Sequence, residues 1–221
     1  MRRDPVRLAV ALLCVLTAAA YTLVLAIRVR TGWGSVDFLL WNLVLAWIPV
    51  VCALGLEWRR RRDRFGAASI ALLLCWLLFL PNAPYLVTDF VHVDLDSPAW
   101  LLTLEVAAVL SGAVAGVLGG LLSVLLVQRT LERLGHATAW LLVAVALALA
   151  SFGMYLGRVV RLNSWDVLTH PHLFASVVAE RGADPLNYPR MLAATIVTTI
   201  LLGAAYLVFH RVADSMREPR S

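Results

Sequence analysis

Arg158 and Arg161 stand three residues apart at the end of an apolar run, with Asn163 and Asp166 just beyond them. A guanidinium presents a planar fork of donors, so such a pair suits a phosphate or a carboxylate. A second polar stretch earlier in the chain carries Asn82, Tyr85, Thr88, Asp89, His92, Asp94 and Asp96, and Glu105 follows inside the next apolar run. Carboxylates beside a histidine are groups that hold a divalent cation or act as general base and acid. Asp89, His92, Glu105 and Asp166 are therefore the candidate catalytic groups; Arg158, Arg161, Asn82, Tyr85 and Asn163 are the candidate ligand-binding ones. Together they suit binding or modification of a phosphorylated lipid intermediate of a cell envelope. A simpler arrangement has Arg158 and Arg161 pairing with Asp89, Glu105 or Asp166, so that the ion pairs only fix loops over a helical bundle.

No metal is assigned, because Asp89-x-x-His92 supplies two ligands where a site needs at least three. His170-Pro171-His172 sets its two rings on divergent vectors and reads as solvated loop. Asn82, between Pro81 and Pro84, has a structural alternative in satisfying backbone groups freed by the prolines. Glu105 is harder to dismiss, since a carboxylate within an apolar helix needs a partner. The sequence has no phosphate-binding glycine loop, no Gly-x-Ser-x-Gly and no His-Glu-x-x-His, so those enzyme families are set aside. Nothing in it specifies a cofactor, and whether the protein is an enzyme stays open.

The elements that would position these groups are membrane helices. Of 221 residues, 61% are hydrophobic and only 15% charged, with a mean hydropathy of +0.82. So few charges cannot coat a water-facing surface of this size. Apolar runs over residues 8–27, 38–56, 65–80, 100–127, 138–157 and 191–209 predict six spans. They form an all-α bundle in a single transmembrane domain, residues 1–221. The first run resembles a signal peptide at its start, with Arg2 and Arg3 before it and Ala18-Ala19-Ala20 inside it. It continues through Ile27, long enough for an uncleaved anchor. Pro49 predicts a kink in the second span, and Pro81-Asn82-Ala83-Pro84 a break after the third.

Two short interfacial helices are expected between spans. In the third loop, Tyr85 to Leu95 would put Tyr85, Asp89, His92 and Asp96 on one face and Leu86, Phe90 and Val93 on another. In the fifth loop a helix would run from Pro171 to Glu180 and stop at Gly182.

All 19 basic residues are arginines. The N-terminus, the second and fourth loops and the C-terminus hold 13 of them, and the other three loops hold 6. The positive-inside rule then makes both termini cytoplasmic and puts the polar cluster outside. Arg158 and Arg161 run against that rule and need a reason to be there. The net charge of +5 lies in runs beside apolar segments, Arg59-Arg60-Arg61-Arg62 above all, where arginines anchor topology and contact anionic lipid. Membrane lipids are the expected partners, and nucleic acid is not. Cys14, Cys52 and Cys75 lie in apolar runs as small hydrophobes without disulfide or metal spacing. Gly112, Gly116 and Gly120, and Gly153 and Gly157, make small-residue faces where backbones approach closely. The approach is within the chain, or in a homo-oligomer or larger membrane complex.

Three segments carry a resemblance: Trp41-Asn42-Leu43-Val44-Leu45-Ala46-Trp47-Ile48-Pro49, the run from Phe79 through Asp89, and Ser151 through Arg158 with Asn163-Ser164-Trp165-Asp166-Val167. Together they resemble the bacterial domain-of-unknown-function family 1361, small multi-pass membrane proteins, over about residues 35 to 210. Pro81-Asn82-Ala83-Pro84-Tyr85 is the most specific part. The resemblance implies a multi-pass protein of the bacterial cytoplasmic membrane and supplies no catalytic residues. Three functions stay open. One is a protein that binds or modifies an envelope lipid at the outer leaflet. Another is an accessory or structural subunit of a membrane complex, without catalytic activity. The third is a small transporter, for which Glu105 alone approaches mid-membrane depth.

Overall fold

The computed structural model describes residues 5–32 and 34–216. Arg2, Arg3, Arg217 and Arg220, four of the arginines counted above, lie outside the described residues. Helix α1 is Pro5–Thr31, α2 Phe38–Arg61, α3 Ala67–Phe79 and α4 Asn82–Tyr85, followed by a 3-10 segment, Leu86–His92. Then come α5 Ala99–Leu131, α6 His136–Tyr155 with a π-helical turn Leu156–Val160, α7 Asp166–Thr169, α8 Pro171–Ala183 and α9 Pro189–Ser215. Among the described residues every regular element is helical, the form in which an apolar chain satisfies its own backbone without water.

Among the described residues six stretches are long and apolar enough to cross a membrane: Val6–Thr31, Phe38–Arg61, Ala67–His92, Ala99–Leu134, His136–Val160 and Pro189–Ser215. The count agrees with the hydropathy reading. The third stretch does not. It continues through α4 and the 3-10 segment to His92, where an interfacial loop helix was expected. Pro49 sits buried within α2 without ending it.

Helix α5 is the axis of the bundle, with 72% of its most apolar window buried, against 6% for α9. Its small residues make that possible. A Cβ on Gly116 would lie 2.3 Å from the Ala83 carbonyl oxygen, and one on Gly112 2.9 Å from Leu39. On α6, a Cβ on Gly153 would meet Pro81 at 2.5 Å. Both glycine faces are thus filled by the chain's own α2 and Pro81–Leu86 segment, not by a partner. Cys14, expected among buried hydrophobes, is exposed on the outside of the bundle, whereas Cys52 is buried.

Two apolar clusters stack along the axis. One, around Leu56, Trp76, Leu122, Leu126 and Val143, lies towards the end where the arginines gather. The other, around Val24, Leu39, Leu43, Leu86 and Val109, lies towards the opposite end. At the arginine-rich end the buried Glu57 accepts from Arg60 at 2.6 and 2.7 Å and from Arg61 at 2.8 Å. Arg59 donates to Ser69 Oγ and Arg62 lies over the Trp58 ring, so all four members of the run Arg59–Arg62 are engaged with their own chain.

Candidate functional site

At the opposite end the sequence break between α3 and α4 sets the geometry. Pro81 and Pro84 lack N–H groups and leave carbonyls of the preceding turn without helical partners. Asn82 Nδ2 takes over, donating to Phe79 O at 3.1 Å and to Ser164 Oγ at 2.9 Å. Ser164 Oγ in turn donates to Leu78 O at 3.0 Å. One asparagine therefore both caps the broken span and ties down the chain that leaves the π-helical turn.

Beyond α4 the three-residue repeat of the 3-10 segment redistributes the side chains. Leu86 and Asp89 share a face and are both buried, while Phe90 and Val91 are exposed. The expected helical face of Tyr85, Asp89, His92 and Asp96 does not form, because it assumed a 3.6-residue period. Asp89 instead points into the bundle, where Asn42 Nδ2 of α2 donates to its Oδ2 at 3.0 Å. Its Oδ1 has no hydrogen bond and lies 4.0 Å from Arg158 Nη1, too far for a direct bond. The ring of His92 packs on Phe38 with centroids 4.7 Å apart.

Arg158 projects from the π-helical turn, a distortion found often at functional sites. Its Nη2 donates to Thr88 O at 2.8 Å and its Nη1 to the Tyr85 hydroxyl at 3.3 Å. Arg161 ends the turn in the left-handed region, φ 62°, and is exposed, with no ion pair or hydrogen bond among the described residues.

Around these anchors lies a pocket of about 120 Å³. Asn42 comes to it from α2, Asn82 and Tyr85 from α4, and Asn163, Ser164 and Trp165 from the segment after the turn; Leu45, Leu156 and Phe174 complete the apolar wall. Three of the five candidate ligand-binding residues, Asn82, Tyr85 and Asn163, thus line one pocket. Arg158 stands behind Tyr85, and Arg161 is outside. The candidate catalytic groups do not converge. Glu105 is buried beside Ser35, whose Oγ donates to it at 2.6 Å. Asp166 folds back on its own turn, accepting from Asn163 N at 2.7 Å and from Thr169 Oγ1 at 3.3 Å. Among the described residues no three His, Cys, Asp or Glu side chains gather as a metal site would require.

Helix α8 forms close to its expected start but runs through Gly182 to Ala183, since that glycine keeps helical geometry. The Tyr188 hydroxyl donates to Glu180 across the turn before α9, and that carboxylate raises the phenol above its ordinary range.

The sequence reading left two groupings unseen. Ser164 and Trp165 belong to the pocket, and their signal was a short polar run with an indole directly after the arginine pair. At the arginine-rich end Gln128, Tyr206, Trp140 and His210 form a second polar and aromatic cluster. The Tyr206 hydroxyl donates to Gln128 Oε1, and His210 pairs with Asp214 at 2.9 Å. Its residues come from three helices, and only Tyr206, His210 and Asp214, spaced one turn apart along α9, are neighbours in sequence.

Residues 41–205 match the model of a family described as "Protein of unknown function (DUF1361)". No curated protein and no solved structure matches the chain. The matched range takes in every residue of the pocket.

Proposed function

The chain belongs to the DUF1361 family, and from that premise we propose that it is a bacterial cytoplasmic-membrane protein that binds the phosphorylated head group of an envelope lipid. The observation that carries the proposal is the pocket itself. Three asparagines and a tyrosine, brought from α2, α4 and the segment after the π-helical turn, surround one opening; the partly exposed Arg158 stands behind the tyrosine, and the exposed Arg161 directly precedes that segment in the chain. Arginine counting puts this end outside and both termini in the cytoplasm, with the spans forming one transmembrane domain. Two arginines at an outer boundary go against the topology rule, and a phosphate bound there gives them a purpose.

The proposal is of binding, without catalysis. Asp89 is sealed behind Asn42, Asp166 holds a turn, Glu105 is engaged with Ser35, and the His92 ring lies against Phe38. A transport path finds little to follow. Between the two ends the buried polar side chains are Ser123 and Ser151, each donating to a carbonyl of its own helix. An accessory role has an open face on α9, where 6% of the most apolar window is buried and a Cβ on Gly203 would meet nothing within 4 Å, but the glycine faces of α5 and α6 are filled from within.

The test is the full-length protein in nanodiscs, titrated with phosphatidic acid against a neutral diacylglycerol and followed by tryptophan fluorescence. A preference for the phosphate-bearing lipid, reduced at least tenfold in the Arg158→Ala/Arg161→Ala variant, supports the reading. Equal response to both lipids overturns it.

A further inference from the structure

The pocket's hydrogen-bonding groups are fixed in direction, and that direction names part of the ligand. An asparagine amide offers two donors on nitrogen and an acceptor oxygen. In Asn82 the nitrogen already donates to Phe79 O and Ser164 Oγ, which uses both hydrogens. In Asn42 the nitrogen is turned to Asp89. Neither amide oxygen has a hydrogen bond among the described residues, and both are open to solvent, unlike Asp89 Oδ1 and Glu105 Oε2, which are buried without a hydrogen bond. The Tyr85 oxygen accepts from Arg158, which leaves its own hydrogen to donate. Asn163 adds an amide whose side chain holds no structural bond, and Trp165 adds an apolar ring wall, braced edge-on by Trp41 at 6.1 Å.

Three free amide oxygens stand beside the Tyr85 hydroxyl, the Asn163 amide N–H groups and the Trp165 indole N–H, and a phosphate, which brings acceptors alone, answers only the donors among them. They match a group that brings several hydroxyls and an apolar face. A protonated amine would also satisfy acceptors, but it would leave the Tyr85 hydroxyl and the Asn163 N–H donors unanswered. We infer that the pocket holds an uncharged polyol ring, a sugar or cyclitol, while the phosphate linking it to the lipid stays outside it with Arg161. This rests on the head-group reading above and narrows its ligand to a phosphodiester lipid with a polyhydroxylated ring.

The experiment uses the full chain in nanodiscs of phosphatidylcholine doped with phosphatidylinositol, phosphatidic acid or phosphatidylethanolamine, with Trp fluorescence as the readout. Phosphatidylinositol should bind about tenfold more tightly than phosphatidic acid. Asn163→Ala, which removes no structural bond, should weaken phosphatidylinositol about fivefold, one neutral hydrogen bond's worth, and phosphatidic acid less, with the melting temperature unchanged. Phosphatidic acid binding as well as phosphatidylinositol, or phosphatidylethanolamine binding best, overturns the ring assignment and leaves the phosphate reading standing. The ring assignment also falls if Asn163→Ala has no effect on phosphatidylinositol. No response to any of the three lipids removes the head-group reading itself.

Discussion

Asn42 and Asp89 meet across the bundle, the amide of α2 donating at 3.0 Å to a carboxylate that the 3-10 segment turns inward. Asp89 is fully buried, and the Arg158 guanidinium stands 4.0 Å away. The hydrogen bond therefore matters more than the ion pair. Asn42→Leu leaves a buried carboxylate without its donor and should cost about 1–3 kcal/mol of stability. Asp89→Leu alone should cost a similar amount, and the double variant less than the sum of the two. Thermal unfolding in detergent, run as a double-mutant cycle, measures the coupling; strict additivity would show that the pair does not act as a unit.

Gly116 lies where α5 receives the broken third span. A Cβ there would be 2.3 Å from the Ala83 carbonyl oxygen, a backbone atom that cannot swing away. Gly116→Ala should destabilise by about 1–3 kcal/mol through overpacking. Gly203→Ala, with nothing within 4 Å of the new Cβ, should be neutral or slightly stabilising, because alanine favours helix. Melting temperatures of the two variants, compared in one detergent, decide the matter.

The contrast between those two glycines shows what the sequence could reveal. Long apolar runs gave the number of spans, because hydrocarbon thickness imposes length and composition directly, but the third continues to His92, well past its expected end at residue 80. Gly116 was recognisable as a packing residue, but not its partner, since Ala83 reaches it only after two prolines have broken the helix. Asp89 was singled out, and its direction was misjudged by assuming an α-helical period where a 3-10 segment forms. The pocket was half legible. Asn82, Tyr85 and Asn163 stood out as polar residues near a membrane boundary, whereas Trp165 and Ser164 joined them only through the bond from Asn82 to Ser164. The pairing of Glu105 with Ser35 was hidden because it links residues 70 apart.

Tyr206 is the large side chain that α9 buries fully, and α9 packs mainly on α6. Its hydroxyl reaches Gln128 on α5, whose Nε2 has no partner. Tyr206→Phe keeps the ring's packing and removes the bond, so it should cost about 1–3 kcal/mol as Gln128 loses its one hydrogen-bond partner. Tyr206→Ala also empties the ring's site, for which about 3–5 kcal/mol is expected. It should loosen α9 before the other spans. Limited proteolysis in the segment 184–190 reads that order directly: faster cleavage in Tyr206→Ala than in Tyr206→Phe, with α5 still protected. Equal cleavage in both would mean that the ring does not anchor α9.

Arg158 separates charge from geometry at the pocket. Its two nitrogens divide between Thr88 O and the Tyr85 hydroxyl, and a lysine ammonium offers no planar fork to span both. Arg158→Lys keeps the positive charge near Asp89, so stability should fall by no more than about 1 kcal/mol. The Tyr85 ring, no longer held, should drift into the pocket that it lines. Lipid binding should then weaken about tenfold although the net charge is unchanged. Arg158→Ala should weaken binding as much and lower the melting temperature further, because Asp89 loses the guanidinium 4.0 Å away. Paired lipid titrations and melting curves for wild type, Arg158→Lys and Arg158→Ala distinguish the roles. If Arg158→Lys binds lipid like wild type, the arginine contributes charge alone and its hold on Tyr85 is incidental.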